Sequence, residues 1–466
     1  MLDQVILTGQ LETLSPLHVG TGDFTPLQDL FENKSPRLNY LKEDKQALNA
    51  LVATVVRDHR DKPCLPATAL KGCLRAACQD AGKTGEELKL LFGEALDAEE
   101  KGVMAKALFR LATLDGLEHY QPPADCPLPL FRPEAGTYIQ PRIRVDQNSG
   151  TALDKFLFFQ EMVPPGARFG LRVVYQGTWE ECREKLLPAL ALLSRPEGIS
   201  LGKGLTQGNG RLRLAPDSLE AQVIGFDPLS CTQTQTPKTA ACLPSPEPPS
   251  EALAVDLRLA CEGPFLILDP SRPGADSPDQ EDAANTLSPV LQKDGRPDLP
   301  PSSLLGALRA RLAWLCQLTT PEDGDDPARV LRQGQDPGTL TTTERLFGVT
   351  GWRGLVRVAG LDVEDGGEAC RVPGVALDRF TAEPLQGALF FTHAQAGVKY
   401  RVRLALDSRC FGGTDPKAAQ IFGKGLDKDE TAFCALIADL TTDDAVLMLG
   451  HGTNQGFGWF RVEEVA

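Results

Sequence analysis

The chain has 466 residues, enough for two or three domains, and its 42% hydrophobic and 24% charged residues are those of an ordinary soluble globular protein. A net charge of −15 argues against a generic nucleic-acid binder with a broad basic face, yet the charge is uneven, about −1 over residues 1–214 and about −14 over 215–466. Twelve cysteines without a CxxC pair argue against a zinc knuckle or disulfide framework and fit reduced thiols in a cytoplasmic protein. No run approaches the roughly 18 apolar residues of a membrane span, and the N-terminal MLDQVILTGQLETL has neither basic n-region nor cleavage site, so no membrane partner is expected.

In chain order, an alternating strand VILTGQLETLSPLHVG comes first. CLPATALKGCLRAAC then reads as a Pro turn and an amphipathic helix capped by Thr68. Leu70, Leu74 and Cys78 share one helix face, while Lys71 and Arg75 form an i,i+4 basic pair on another. LFGE at Leu91, the strand AKALFRLATLDG and a paired-strand pattern VDQNSGTALDKFLFFQEMVPPGARF follow. A helix, WEECREKLLPALALL, leads to the glycine-rich phrase LGKGLTQGNGRLRL, Leu201 to Leu214.

The same landmarks then recur in the same order: AVDLRLACEGPFLIL, DLPPSSLLGALRARLAWL, LFGV, GLVRVAGLDV, ALDRFTAEPLQGALFFTHAQAGVKY, DETAFCALIADL, and finally LGHGTNQGFGWFRV, Leu449 to Val462. Residues 1–214 and 253–466 are therefore two copies of one module. Residues 215–252, rich in Pro, Ser and Thr, are expected to be a linker or ordered arm. Each module reads as β–α–β with hairpins, then α–β. The expected fold class is α+β: two tandem ferredoxin-like (RRM-like) modules with inserted hairpins and a glycine-rich loop.

Four glycines in about ten residues point to positive φ or close approach of another chain. With Lys203 and Arg211 beside them, their N–H groups are expected to cradle phosphate. The helix after LPAT would aim its N-terminus and Lys71 at the same anion. Module two keeps Arg309, with Arg311 nearby, but has Leu305 for Lys71 and His451 for Lys203, so a weaker grip is expected there. A nucleotide-binding P-loop fails on spacing, because GKGLTQGNG lacks the G-x-x-x-x-G-K-[ST] order. Aromatics make up only 6% of the chain, which disfavours base stacking of the RNP type. Recognition of RNA by shape and phosphate ranks first.

The ordered set LSPLHVGTG, LPATALKG…LR, LFG, the Asp-led turn with its VPPG strand and the terminal GxGxxxGxG resembles the RAMP superfamily. More narrowly it is similar to a double, fused backbone subunit of type III CRISPR effector complexes. The resemblance spans almost the whole chain, twice. It implies an antiviral ribonucleoprotein whose partners are guide RNA, target RNA, other RAMP backbone subunits, a large signalling or polymerase-like subunit and small helical subunits. It implies RNA contacts at His18, Lys71, Arg75, Lys203, Arg211, Arg309, Arg311 and His451. Relatives that cut target RNA carry an Asp after the first strand and use Mg²⁺ or Mn²⁺. Here Val52 and Leu287 stand at that position, which leaves Asp29 and Asp282 in the preceding loops as the catalytic candidates, with Asp23, Asp276 and Asp279 behind them. The alternative is a free-standing guide-RNA-processing endoribonuclease with His18 as general base. No protein-built metal cluster is expected, since the remaining histidines are not at ligand spacing.

Overall fold

The computed structural model describes residues 4–31, 50–83, 85–94, 102–115, 131–142, 158–227, 232–238, 243–246, 253–268, 286–287, 296–319, 325–326, 329–332, 335–406 and 426–464. The chain divides into two compact units, Met1–Ser250 and Glu251–Ala466.

In the first unit the elements run β1 (Gln4–Thr13), β2 (Gly20–Pro26), β3 (Leu51–Val55), β4 (Cys64–Leu65), helix α1 (Ala67–Asp80), helix α2 (Gly85–Phe92), β5 (Ala107–Phe109) and β6 (Ala112–Thr113). They continue with β7 (Phe131–Arg132), β8 (Thr137–Arg142), β9 (Phe158–Met162), β10 (Arg168–Gln176), a helical run over 179–191, β11 (Ile199–Ser200), β12 (Arg211–Leu214), β13 (Glu220–Asp227) and β14 (Thr232–Lys238). The main sheet has the order β11-β12-β1-β10-β5. With one helix before β5 and one before β12, this is a ferredoxin-like βαββαβ arrangement. Alternation along β1 buries Val5, Leu7 and Leu11 under the helices, where they meet Leu70, Leu74 and Cys78 of α1 and Leu186 and Leu190 of the helical run. The shared face of Leu70, Leu74 and Cys78 thus faces the core.

A second sheet, β2-β3-β9-β8-β7, stands beside the first with small cores of its own, Leu27, Val52, Ile139 and Phe159 among them. β3 runs parallel to β9, with Val52 opposite Phe159.

The expected linker is in part a hairpin. β13 pairs β1 from Gln4↔Ile224 to Thr8↔Glu220, end to end with β12, which pairs from Leu11↔Leu214 to Thr13↔Leu212. β14 pairs β13 in turn. Leu219 and Ala221 are buried in the first core. A polar composition hid this hairpin because only its inner edge meets apolar neighbours.

The second unit repeats the plan. It holds β15 (Ala254–Cys261), β16 (Pro264–Phe265), β17 (Thr286–Leu287), helix α3 (Pro301–Thr319), helix α4 (Thr342–Phe347), β18 (Val356–Asp365), β19 (Glu368–Leu377), β20 (Pro384–Ala396), β21 (Lys399–Leu406), helix α5 (Leu426–Leu440), β22 (Leu447–Met448) and β23 (Trp459–Glu464). Its main sheet, β18-β21-β15-β23-β22, matches the first strand for strand. Leu304, Leu308 and Leu312 of α3 and Phe433, Leu436 and Leu440 of α5 pack on Leu257, Leu259, Tyr400, Val402 and Leu404. Leu305, which replaces Lys71, is buried in this core. The β19–β20 hairpin turns on Asp378, whose carboxylate accepts from the amides of Phe380 and Thr381, and Phe380 at its tip is 98% exposed. The corresponding turn of the first module lies outside the described residues. β17 is parallel to β20, with Leu287 opposite Thr392 and Thr286 opposite Phe391. Phe391 of LFFTHA corresponds to Phe159 of LFFQEM, so the register partner of Val52 is Thr286 rather than Leu287. Neither position carries a carboxylate.

Candidate functional site

Both glycine phrases dock in the same way on the segment that follows the first strand. Lys203 N–H donates to the His18 carbonyl (2.9 Å), Gly210 N–H to Pro16 O (2.7 Å) and Leu201 N–H to Gly210 O (2.8 Å). In module two His451 N–H donates to Leu266 O (2.8 Å), Gly458 N–H to Pro264 O (2.8 Å) and Leu449 N–H to Gly458 O (2.9 Å). Gly202 and Gly210 have φ of 91° and 74°, and a Cβ on either would collide with a backbone carbonyl oxygen, of His18 and Leu201 respectively. The repeated glycines are therefore demanded by this docking. The expected phosphate cradle of free N–H groups differs from what is found. The amides of Lys203, Gln207, Gly208, Asn209 and Gly210 all bond to carbonyl oxygens of the loop and its dock. These five amides are therefore not open to an anion.

The side chains gather in module one. His18 is 3% exposed, and its Nδ1 lies 2.7 Å from the Glu161 carbonyl oxygen. A carbonyl only accepts, so Nδ1 carries the proton and Nε2 presents a lone pair. Burial holds the His18 pKa below 6.5; the Glu161 carbonyl opposes this, while the positive charges of Lys203 and Arg142 add to it. His18 is neutral at pH 7.

Glu161 itself is fully buried and ties the second sheet together. Its Oε1 accepts from Arg57 Nη2 (2.5 Å), Arg132 Nη1 (3.0 Å) and Thr137 Oγ1 (2.7 Å), and its Oε2 from the Val55 amide (2.9 Å). Arg142, at the end of β8, reaches the glycine loop by donating to Gln207 Oε1 and also donates to Gln140 Oε1. Both partners are neutral amides, no ion pair of Arg142 occurs among the described residues, and burial lowers its pKa. A half-buried guanidinium so placed, with exposed Lys203 nearby, favours an anion. Neither the Arg142–Gln207 bond nor the Glu161 hub has a local sequence signal.

A pocket of about 380 Å³ opens between the loop and the second sheet, lined by His18, Gly20, Asp23, Phe24, Thr54 and Lys203 among others. The filling differs in module two. There Leu266, the counterpart of His18, packs with Ala394 and Phe457.

The remaining sequence candidates separate into groups. Lys71 is half-exposed on the first turns of α1, but Thr68 lies inside the helix and Pro66 occupies the cap without a side-chain bond. Arg75 turns away from the helix start and donates to Gly93 O (3.4 Å). Arg309 makes the same joint to Gly348 O (2.7 Å) and pairs with Asp325 (2.6 Å). Arg311 pairs with Asp439 of α5 at 2.7 Å. These arginines hold helices to their neighbours and are not presented as an open phosphate path. Arg211 is half-buried on β12, its amide donating to Ser15 Oγ, and the exposed His451 is the module-two end of the loop dock.

Asp29 sits exposed in a 3₁₀ turn, Leu27–Leu30, outside the pocket lining. Asp282 lies outside the described residues, as do Asp276 and Asp279. Among the described residues there is no group of three or more His, Cys, Asp or Glu that could hold a metal ion. Asp23 is the one carboxylate in the pocket lining, which also holds Lys203, a donor set that does not fit Mg²⁺ or Mn²⁺.

The family model of the RAMP superfamily matches residues 10–213 and 267–461, one match per module. A search of curated proteins finds no match. Among the described residues no helix is long and apolar enough to cross a membrane.

Proposed function

The chain belongs to the RAMP superfamily, CRISPR-associated RNA-binding proteins, with one module in each half, and from that premise we propose that it is a guide-RNA-binding backbone subunit of a type III effector complex. The observation that carries this reading is the convergence of Lys203, Arg142 and neutral His18 where the glycine loop of module one docks. A flexible ammonium and a guanidinium held by two glutamine side chains suit phosphate oxygens without reading sequence. Sequence recognition then belongs to base pairing between guide and target. Lys71 on α1 extends the same grip.

Module two contributes less to the grip. Leu266 and Leu305 replace His18 and Lys71, and Arg309 and Arg311 are engaged in ion pairs. Its role is structural within the assembly, together with the long β19–β20 hairpin. Other RAMP subunits, the large subunit and the small helical subunits are the partners this role requires.

The reading treats the subunit as a scaffold. The pocket's donor set does not suit a catalytic cation, and no second histidine lines the pocket beside His18.

The test is to purify the chain with its complex and sequence the RNA that comes with it. Short RNAs sharing one 5′ sequence are expected. Heterogeneous cellular RNA, or none, would overturn the proposal.

A further inference from the structure

Arg142 differs from other sheltered arginines of this chain in what holds it. Arg57 and Arg132 share the Glu161 carboxylate, Arg309 meets Asp325 and Arg345 meets Asp429, each within 3.0 Å. Those four charges are neutralised where they lie. Arg142 is half-buried as they are, but its Nη1 donates to Gln207 Oε1 and its Nη2 to Gln140 Oε1 (3.2 Å). Its Nε is buried and makes no hydrogen bond among the described residues. An amide oxygen accepts as a carboxylate oxygen does but brings no charge. The guanidinium is thereby fixed in place with its positive charge uncancelled.

The two amides come from different parts of the module. Gln140 precedes Arg142 by two residues on β8, so both side chains stand on one face of the second sheet. Gln207 reaches across from the glycine loop, at the end of the 3₁₀ turn Leu205–Gln207 that left-handed Gly204 and Gly208 bracket. An arginine only donates, so Gln207 turns its oxygen to Arg142 and its amide nitrogen away. Arg142 and Lys203 both lie close enough to His18 to act on its ring, which puts the clamped guanidinium and the ammonium in one region.

Module two supplies an internal contrast. The loop glutamine recurs as Gln455, at the end of the matching turn Thr453–Gln455, where it is exposed and has no side-chain hydrogen bond among the described residues. Phe390 corresponds to Phe158, as Phe391 does to Phe159. The register partner of Phe158 is Arg142, and that of Phe390 is Gly374. Module two thus keeps the glutamine and lacks the arginine.

We propose that Gln207 and Gln140 are positioning residues for RNA binding. They hold Arg142 by neutral oxygens, so that its charge stays available to a phosphate of the bound strand, and a carboxylate at either position would cancel it. This rests on the reading of module one as the RNA-gripping half.

The experiment uses the full chain stripped of RNA and a short oligouridylate, with affinity measured over a salt series. Gln207→Glu and Gln140→Glu should each weaken binding about tenfold at low salt, the range of one hydrogen bond to a charged group. Each should also flatten the slope of log affinity against log salt by about 0.7, one phosphate contact on a single strand. Melting temperature should hold or rise, because the new carboxylate pairs with Arg142. Gln455→Glu makes the same charge change at the same loop position of module two and should leave affinity and slope close to those of the unmodified chain. In an Arg142→Met chain, which already lacks the contact, Gln207→Glu should flatten the slope no further. Unchanged slopes in both module-one variants, or equal flattening by Gln455→Glu, overturn the clamp and leave the RNA-binding reading standing. Weaker binding with a lower melting temperature and an unchanged slope also overturns it, since the glutamines then only brace the loop. Absence of RNA binding by the unmodified chain overturns the RNA-binding reading and this one with it.

Discussion

Arg309 Nη1 donates to the carbonyl oxygen of Gly348 at 2.7 Å, where the LFG turn closes against α3, while its Nε and Nη2 hold Asp325. Arg75 makes the corresponding bond to Gly93 in module one. A basic residue that looks in the sequence like half of a phosphate grip is thus a fastener between a helix and the turn after it.

The two basic sets should therefore behave differently. Changing Lys71 and Lys203 together to Ala should weaken guide-RNA binding and reduce the slope of log affinity against log salt by about 0.7 per lost contact. Changing Arg309 to Met should leave that slope intact but lower the melting temperature. Asp325 is left buried without its partner, which costs about 3–5 kcal/mol for a buried pair. Salt-titrated binding and thermal melting of the two variants distinguish them, and a flattened salt slope in the Arg309 variant speaks against the assignment.

Gly202→Ala and Gly210→Ala should each undock the first glycine loop, because positive φ and a collision with a backbone carbonyl act together. A loss of about 1–3 kcal/mol or more is expected at each position. Gly450→Ala and Gly458→Ala should do the same to module two without reducing guide-RNA affinity to the same degree. Hydrogen exchange at Lys203 and His451 amides reads each dock separately.

Acid should weaken module one through His18. Its folded pKa lies below 6.5 because the ring is buried, so the unfolded chain takes up the proton first as pH falls. The contribution is intact above about pH 6.5 and is lost progressively below it. His18→Leu, the residue module two uses, should remove this component. Comparing melting midpoints of the full chain and the variant from about pH 8 to about pH 5 gives the difference; parallel curves would remove His18 as the cause.

Much of the architecture was readable because it is periodic. β1 alternates, α1 carries Leu70, Leu74 and Cys78 on one face, and each motif occurs twice, so that register errors in one copy are corrected by the other. The site was less readable. Asp23 and Phe24 become neighbours of Lys203 only through a bulge in β2, and Arg142 meets Gln207 across 65 positions of chain. Glu161 looked like one more strand carboxylate, yet it gathers four donors. Contacts of that kind leave no local pattern.

The hairpin at 220–238 predicts where module one ends. A fragment of residues 1–250 should melt cooperatively, while one ending at 214 leaves half of β1 without its neighbour and removes Leu219 and Ala221 from the core. Burial of such side chains is worth about 1–3 kcal/mol each, so the shorter fragment should be markedly less stable or aggregate through the bare strand. Circular dichroism melts of the two fragments decide it, and equal stability would restore the linker reading.

As a scaffold, the complex should hold guide-paired target RNA uncut in Mg²⁺ or Mn²⁺. Cutting that disappears with Asp29→Ala or Asp282→Ala would show a nuclease instead and reinstate those residues. Gel analysis of end-labelled target is sufficient.

The glycine loops dock on carbonyl oxygens of residues 18 and 266, and every amino acid supplies a carbonyl. The anchor is therefore indifferent to the side chain that hangs from it. The same dock therefore carries histidine in one copy and leucine in the other, and the loop answers with Asn209 beside the one and Phe457 packed on the other. Position and chemistry can drift apart on such a frame, and a laboratory exchange of side chains between the two copies starts from the same latitude.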